Sequence, residues 1–286
     1  MSTTTERIVH VSDTALMVAA CRALETARPD GFVRDPFAER LAGERGMAIA
    51  HALPRIQIMC FGIGVRSRLM DNLIQECVRE QGVRTVLSLG CGLDTRPWRL
   101  DLPRELRWIE ADFAALLEYK TSVMTNEALA VQLEQMPIDL NDADQRSKLF
   151  RAASDTPALM ITEGLLMYLP GATVEALASE SGARSGVRYW LSDITSPAFA
   201  RMVGMDAYAE IHKVRSEGHM NGLQILDVMN HNRWEMFRSK RYLTDLFDFA
   251  GPRMLAAREA RQQAGLPDPP APPADDPTGV HLLRLS

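Results

Sequence analysis

The chain has 286 residues, 46% hydrophobic and 24% charged, the proportions of a globular protein with material for a large core, which excludes an intrinsically disordered chain. Lys plus Arg number 32 against 37 Asp plus Glu, a net charge of -5, so the basic excess of a dedicated nucleic-acid binder is missing. Residues 1–10 are polar and lack the apolar stretch of a signal peptide, and the longest apolar run, 158–169, is broken by Glu163 and too short to span a bilayer. Cys21, Cys60, Cys77 and Cys91 form no C-x-x-C pair and no metal-ligand spacing with histidine, which predicts reduced thiols, no bound metal and a cytoplasmic protein.

A helical region opens the chain, judged by its 3.6-residue periodicity. Its first helix is predicted to begin at Ser12 or Asp13, both good N-caps, and to run to Ala27, where Arg28-Pro29-Asp30-Gly31 stops it. A second runs over 64–81, with Val65, Leu69, Leu73 and Cys77 four apart and Gly82 as terminator. Short apolar runs then alternate with amphipathic ones, the pattern of an α/β fold with a parallel sheet and crossover helices. Strands are predicted at 85–89, 106–111, 136–140, 158–162, 187–192, 254–258 and 280–285, with helices at 113–125, 142–153 and 173–181. The stretch 197–218 reads as mostly helical, interrupted by Gly204 and rich in Met and ionic residues, which suits a lid. Residues 266–279 are Pro-rich and acidic and read as a stiff surface loop joining the last two strands. The resulting division is a helical cap over 1–82 and a core over 83–286, with 196–238 as a lid and substrate segment and 264–279 as the Pro-rich loop.

The sharpest local signal is TVLSLGCGLDTR over 85–96, an apolar strand that leads straight into the G-x-G of Gly90 and Gly92. Glycines there remove Cβ atoms, so a ligand can lie against backbone at the carboxyl edge of the sheet. The next strand ends in Glu110-Ala111-Asp112, and an acid at that distance from the loop can accept hydrogen bonds from both hydroxyls of a ribose. A dinucleotide site would want a third glycine, where Thr95 stands, and a free helix N-terminus, which Pro97 compromises. An adenosine ligand without phosphates fits better, with S-adenosylmethionine the obvious candidate; an NAD-dependent oxidoreductase is the weaker alternative. Asp139 closes the third predicted strand, where an adenine amino group would lie, and Glu163 closes the fourth. Asp94, Asp112, Asp139 and Glu163 would then share one sheet edge, suited to a ligand that is cationic at its sulfonium and its ammonium.

Over roughly residues 10–195 the sequence resembles the leucine carboxyl methyltransferase-like family of S-adenosylmethionine-dependent O-methyltransferases, which includes protein phosphatase carboxyl methyltransferases and bacterial enzymes of polyketide and related secondary metabolism. The likeness rests on Thr14-Ala15 through Arg22-Ala23-Leu24-Glu25, Arg34-Asp35-Pro36-Phe37-Ala38, Val65-Arg66-Ser67-Arg68, LGCGLDTRPWRL over 89–100, Glu110-Ala111-Asp112, Asp139-Leu140 and EGLLMYL over 163–169. It fades beyond about Ser196, and Cys91 stands where the family commonly has alanine. The resemblance implies a class I methyltransferase (Rossmann-like) fold, a seven-stranded, mostly parallel sheet with helices on both faces and a helical N-terminal cap. It implies S-adenosyl-L-methionine as cofactor, with S-adenosyl-L-homocysteine as product. By the same resemblance Arg66 holds the methionine carboxylate, with Arg68 as its control, while Gly90 and Gly92 admit the cofactor and Asp112 takes the ribose. Asp139 with Leu140 contacts adenine, Glu163 lies near the methionine part, and Tyr168 lies near the transferred methyl.

The implied activity is methylation of a carboxylate or acidic hydroxyl of a small, polyketide-type molecule, with a protein C-terminal carboxyl as the alternative acceptor. A carboxylate acceptor needs no general base, whereas a phenol would benefit from one. Candidate bases are His51, His212, His219 and His231, with His10 and His281 disfavoured by position. Met59, Phe61, Met202, Met205, Tyr208, Met220 and Trp234 would suit an apolar acceptor. The expected partner is a small-molecule substrate, without nucleic acid or membrane, and nothing in the sequence sets the oligomeric state.

Overall fold

The computed structural model describes residues 10–54, 56–153, 156–184, 186–202, 217–242, 247–263 and 275–286, with 245, 265 and 273. Three helices come first: α1 (Val11–Thr26), α2 (Ala38–Ala52, broken at Gly43) and α3 (Ile56–Glu80). The alternation follows as β1 (Thr85–Leu89), α4 (Arg96–Arg99), β2 (Arg107–Asp112), α5 (Ala114–Met124), β3 (Gln132–Pro137), α6 (Ala143–Ala152), β4 (Ala158–Thr162), α7 (Gly171–Arg184), β5 (Val187–Ile194) and α8 (Pro197–Met202). The chain closes with α9 (Gly222–His231), β6 (Trp234–Arg241), α10 (Phe247–Gln263) and β7 (Gly279–Leu285).

The strands form one sheet in the order β3-β2-β1-β4-β5-β7-β6. The first five run parallel, and β7 is inserted antiparallel between β5 and β6. This is the seven-stranded, mostly parallel sheet of the class I methyltransferase fold. β1 and β4 are buried along their whole length, because helices cover both faces of a parallel sheet. Leu87, Leu89, Ile109 and Met160 point into a core shared with α6, α7 and α9, whereas Val86, Trp108, Leu159 and Ile161 pack with α3 and α10.

Several expected boundaries move, each for a local reason. His10, not Ser12 or Asp13, caps α1: its ring Nδ1 accepts from Ser12 N at 3.1 Å, and Asp13 Oδ2 accepts from His10 N. The third strand is Gln132–Pro137 rather than 136–140, because its partner β2 sets the register, pairing Arg107 with Gln132 and Asp112 with Pro137. Residues 254–258, expected as a strand, lie in helix α10, where Ala250 is buried in the core and Met254 packs against it. A short apolar run cannot be assigned to strand or helix by periodicity alone. The sixth strand is instead Trp234–Arg241, a polar stretch whose Arg and Lys residues suit an unpaired sheet edge. Trp234 anchors that edge: it packs edge-on against Trp190, with centroids 5.5 Å apart, and donates from Nε1 to the Ala178 carbonyl at 2.9 Å. The Pro-rich segment therefore connects a helix to a strand, not two strands, and within the expected lid segment 196–238 residues 222–238 supply α9 and most of β6. Among the described residues no helix is long and apolar enough to cross a membrane.

Candidate functional site

Parallel strands deliver their exits to one edge of the sheet, so the loops after β3, β2, β1, β4 and β5 lie side by side in that order. Each carries an acid close to the strand end: Asp139, Asp112, Asp94, Glu163 and Asp193. The first four are those expected from sequence. The fifth, Asp193, was legible as an acid at the end of the Trp-Leu-Ser run, and sequence reasoning passed over it.

The exit of β1 is shaped by its two glycines. Gly90 has φ +57° and Gly92 φ +51°, left-handed conformations that glycine adopts without steric cost. The space beside Gly90 is taken by Leu165, whose Cδ1 would stand 2.5 Å from an added Cβ. Gly92 N donates to Asp112 Oδ2 at 2.8 Å, and Phe113 N donates to Asp112 Oδ1 at 2.7 Å, so the β2 carboxylate is fixed across the glycine loop. Burial pushes the Asp112 carboxyl up from its ordinary range, with the two amides and Lys120 pulling the other way. Glu110, two residues earlier, is fully buried and paired with Lys120, so Asp112 is the acid of this pair at the open edge.

Around the β1, β4 and β5 exits runs a continuous ionic network. Arg96 is its hub: its Nε donates to Asp71 Oδ1 at 2.6 Å and its Nη1 to Asp94 Oδ2 at 3.1 Å and Glu163 Oε2 at 2.6 Å. Arg99 grips the same Asp71 with both terminal nitrogens, at 2.6 and 2.9 Å. Arg66, on α3, donates from Nε to Glu163 Oε1 at 2.8 Å and from Nη1 to Asp193 Oδ2 at 3.0 Å, while Asp193 Oδ1 accepts from Gly164 N. These bonds commit Nε and Nη1 of Arg66, and among the described residues Nη2 has no partner and is available to a carboxylate. Burial disfavours the charged form of Asp94, but Arg96 first, then Lys120 and Arg99, overcome it and hold the carboxyl at about 2. Glu163 is likewise held below its ordinary range against its burial, by Arg96 and Arg66. A second branch docks the N-terminal helices: Asp35 Oδ2 accepts from Arg22 Nε at 2.9 Å and from Thr95 Oγ1 at 2.7 Å, and Arg22 Nη2 donates to the Leu93 carbonyl.

The other expected residues are placed as follows. Asp139 lies two residues beyond β3 and accepts from Asn141 N and Nδ2, while the Leu140 side chain is in the core and its carbonyl accepts from Arg146 Nη1 at 2.9 Å. Tyr168 stands in a 3-10 turn after β4 and packs with Met17, Ile49 and Met59 from α1, α2 and α3. Arg68 is exposed and borders a cavity of about 440 Å³ with Asn72 and Lys240, on another side of α3. His10 caps α1, His231 lies against the Asp227 carbonyl, and His281 is buried in β7 between Ser239 and the Pro277 carbonyl. His51 and His219 are exposed; His212, Met205 and Tyr208 lie outside the described residues. Sequence reasoning did not single out Asp71, Arg96, Arg99, Lys120 or Asp193 for these contacts; the spacing of Arg66 and Asp71 along one helix, and Arg96 and Arg99 flanking Pro97, were the only local cues.

The sequence pattern of the leucine carboxyl methyltransferase family matches residues 15–181, more than half of the chain. The chain belongs to this family. Among its relatives are proteins of Streptomyces avermitilis and Streptomyces coelicolor, each named "Putative S-adenosyl-L-methionine-dependent methyltransferase", 35% and 37% identical over 183 and 184 residues. Each match covers 60% of this chain, and the chain spans about 64% of the length of these curated relatives. The expected cofactor, S-adenosyl-L-methionine, is the one those names carry. In fold the chain is similar to the crystal structure of a DUF574 family protein from Streptomyces avermitilis, with a TM-score of 0.58, 12% identity and 94% and 97% of the two chains covered. It is similarly close to a structure titled as a putative methyltransferase from Thermobifida fusca, with a TM-score of 0.57, 13% identity and 99% and 96% covered.

Within this family member Arg66 and Arg68 make a matched pair for experiment. Arg66→Ala is expected to weaken S-adenosylhomocysteine binding by about 10- to 100-fold, the range for a hydrogen bond to a charged group, and Arg68→Ala by no more than about threefold. Titration calorimetry measures both, with thermal denaturation alongside to separate lost binding from lost fold. Equal losses at the two positions would overturn the carboxylate role that the family resemblance implies for Arg66.

Proposed function

We propose that this chain is an S-adenosylmethionine-dependent O-methyltransferase that methylates a carboxylate or acidic hydroxyl of a small, polyketide-type molecule. The observation that carries the reading is the distribution of charge at the sheet edge. In the network four carboxylates (Asp71, Asp94, Glu163 and Asp193) face three guanidiniums (Arg66, Arg96 and Arg99), an excess of one negative charge. Such an edge favours a sulfonium and an ammonium, and a donor on Arg66 remains for the accompanying carboxylate. Asp112, fixed across the glycine loop, is the acceptor for a ribose diol.

The bound cofactor supplies a methyl group on a strongly activated leaving group. The protein's part is to hold both reactants in line and to exclude water. Arg66 and Glu163 hold the methionine end, Asp112 the ribose, and Asp139 with Leu140 the adenine side. Tyr168, in the turn after β4, packs on the buried Met17 and Ile49, so helices α1 and α2 cover that turn. His10 caps α1, His51 and His231 lie on helices, His281 lies in β7 and His219 bridges Pro170 beside the Tyr168 turn, and a carboxylate acceptor would be ionised without a general base.

Transfer of labelled methyl from S-adenosylmethionine into a metabolite extract, followed by mild base, tests this reading. Label released as methanol is the expected result and marks a carboxyl ester. Label that survives base marks an ether and makes His51 and His219 the next residues to replace. Label found only in protein would overturn the small-molecule reading in favour of a protein carboxyl acceptor.

A further inference from the structure

Beneath the glycine loop lies a fully buried ion pair for which the proposed chemistry has no use. Lys120, on α5, contacts Glu110 Oε1 on β2, and both side chains are fully buried. Gln135 Nε2 donates to Glu110 Oε2 at 3.0 Å, and Thr121 Oγ1 donates to Gln135 Oε1 at 2.7 Å, so the acid's other oxygen is also satisfied. The ammonium stands 5.3 Å from the Trp98 ring centroid, which closes its remaining side. An ion pair removed from water is costly, and apolar residues of similar volume would serve the core as well or better. Its position suggests what the charge is for. Side chains of residues two apart on a strand share a face, so Glu110 brings the ammonium to the face on which Asp112 stands.

We propose that Lys120 is a positioning residue of the cofactor site, whose buried ammonium keeps Asp112 ionised and ready to accept both ribose hydroxyls. This inference rests on the reading of Asp112 as the ribose acid. The charged and titratable groups that face the ammonium are Glu110 and Asp112 from β2 and Cys91 and Asp94 from the β1 exit, with Arg96, Arg99 and Arg22 acting on Asp94 from beyond. Arg96 and Arg99 already neutralise Asp94 through the network. Asp112 accepts from two backbone amides and from no arginine among the described residues, and Lys120, in contact with Glu110 two residues earlier on the same strand, is the charge that acts on it. When the cofactor covers the loop and water leaves, that cation opposes protonation of the carboxylate.

The experiment compares S-adenosylhomocysteine binding across pH 4–8 in the wild type, Glu110→Gln, Lys120→Met and the double variant. In Glu110→Gln the lysine loses its contact partner but still faces Asp94 and Asp112, so it is protonated in the acid range and the acid limb does not rise. Adding Lys120→Met to that background is expected to raise the acid limb by about one pH unit, so that binding weakens by up to about tenfold below the limb and changes little at pH 7. If Lys120 serves only to neutralise Glu110, the double variant binds as tightly as Glu110→Gln with the same pH profile, and the inference falls. Should Lys120→Met alone fail to fold, the comparison of the double variant with Glu110→Gln still decides. A wild type that does not bind S-adenosylhomocysteine would instead overturn the cofactor reading itself.

Discussion

Replacing Arg96 by Met is expected to cost about 3–5 kcal/mol of folding stability near neutral pH, the range for removing one partner from a buried ion network. The substitution approximates the volume of the side chain but leaves Asp71, Asp94 and Glu163 without the guanidinium that now contacts all three. Arg99 still holds Asp71, and Arg66 still holds Glu163, so Asp94 is the acid left most exposed to the loss. The pH dependence gives the prediction a second edge. In the wild type Asp94 is depressed to about 2 from 3.8, so its stabilisation is fully present above the unfolded value and is lost as pH falls through the folded one. In the variant the same buried carboxyl has lost its main counter-charge and rises, so acidification relieves it. The stability difference should therefore be largest near pH 7 and shrink towards pH 4. Urea denaturation at several pH values reads it directly; a difference that is constant with pH would mean that packing, not charge, is what Arg96 contributes.

Gly90→Val is expected to abolish S-adenosylhomocysteine binding and to destabilise the chain by about 2–6 kcal/mol, from two causes that add. A β-branched residue at φ +57° pays left-handed strain of about 1–3 kcal/mol. Its Cβ would also stand 2.5 Å from Leu165 Cδ1, and relief of that overlap displaces the turn after β4, at about 1–3 kcal/mol. That segment carries Glu163 and Tyr168, so the distortion reaches the side proposed for the methionine part as well as the glycine loop. Gly90→Ala combined with Leu165→Ala separates the causes. Removing the Leu165 side chain should recover the packing part and leave the conformational part. Full recovery of stability and binding in that double variant would show that the left-handed φ at residue 90 is not required.

The sequence by itself determined the parts of this protein that depend on neighbours along the chain. The apolar run into Gly90 and Gly92, the acid at the close of each parallel strand, and the alternation of strand and helix through residue 194 are local patterns, and they fold locally. With the family's motifs they were enough for the five parallel strands and for four of the five acids at their exits. The α10 and β6 regions show where such patterns stop being informative. Residues 254–258 carry an apolar run with no period of its own, and packing against the core, which the sequence does not display, turns it into helix. Residues 234–241 look too polar for a strand, and only an edge position beside β7 makes that composition suitable.

The charge network belonged to tertiary structure alone. Arg96 meets acids 2, 25 and 67 residues away, and Arg66 meets Asp193 across 127 residues. An arginine's partner is fixed by which acids the fold desolvates beside it, because an unpaired buried charge is too costly to leave and an exposed pair gains little. No spacing along the chain encodes that choice. The same reason hid Lys120, which reads as an ordinary surface lysine in a helical stretch until β2, α4 and α5 close over it.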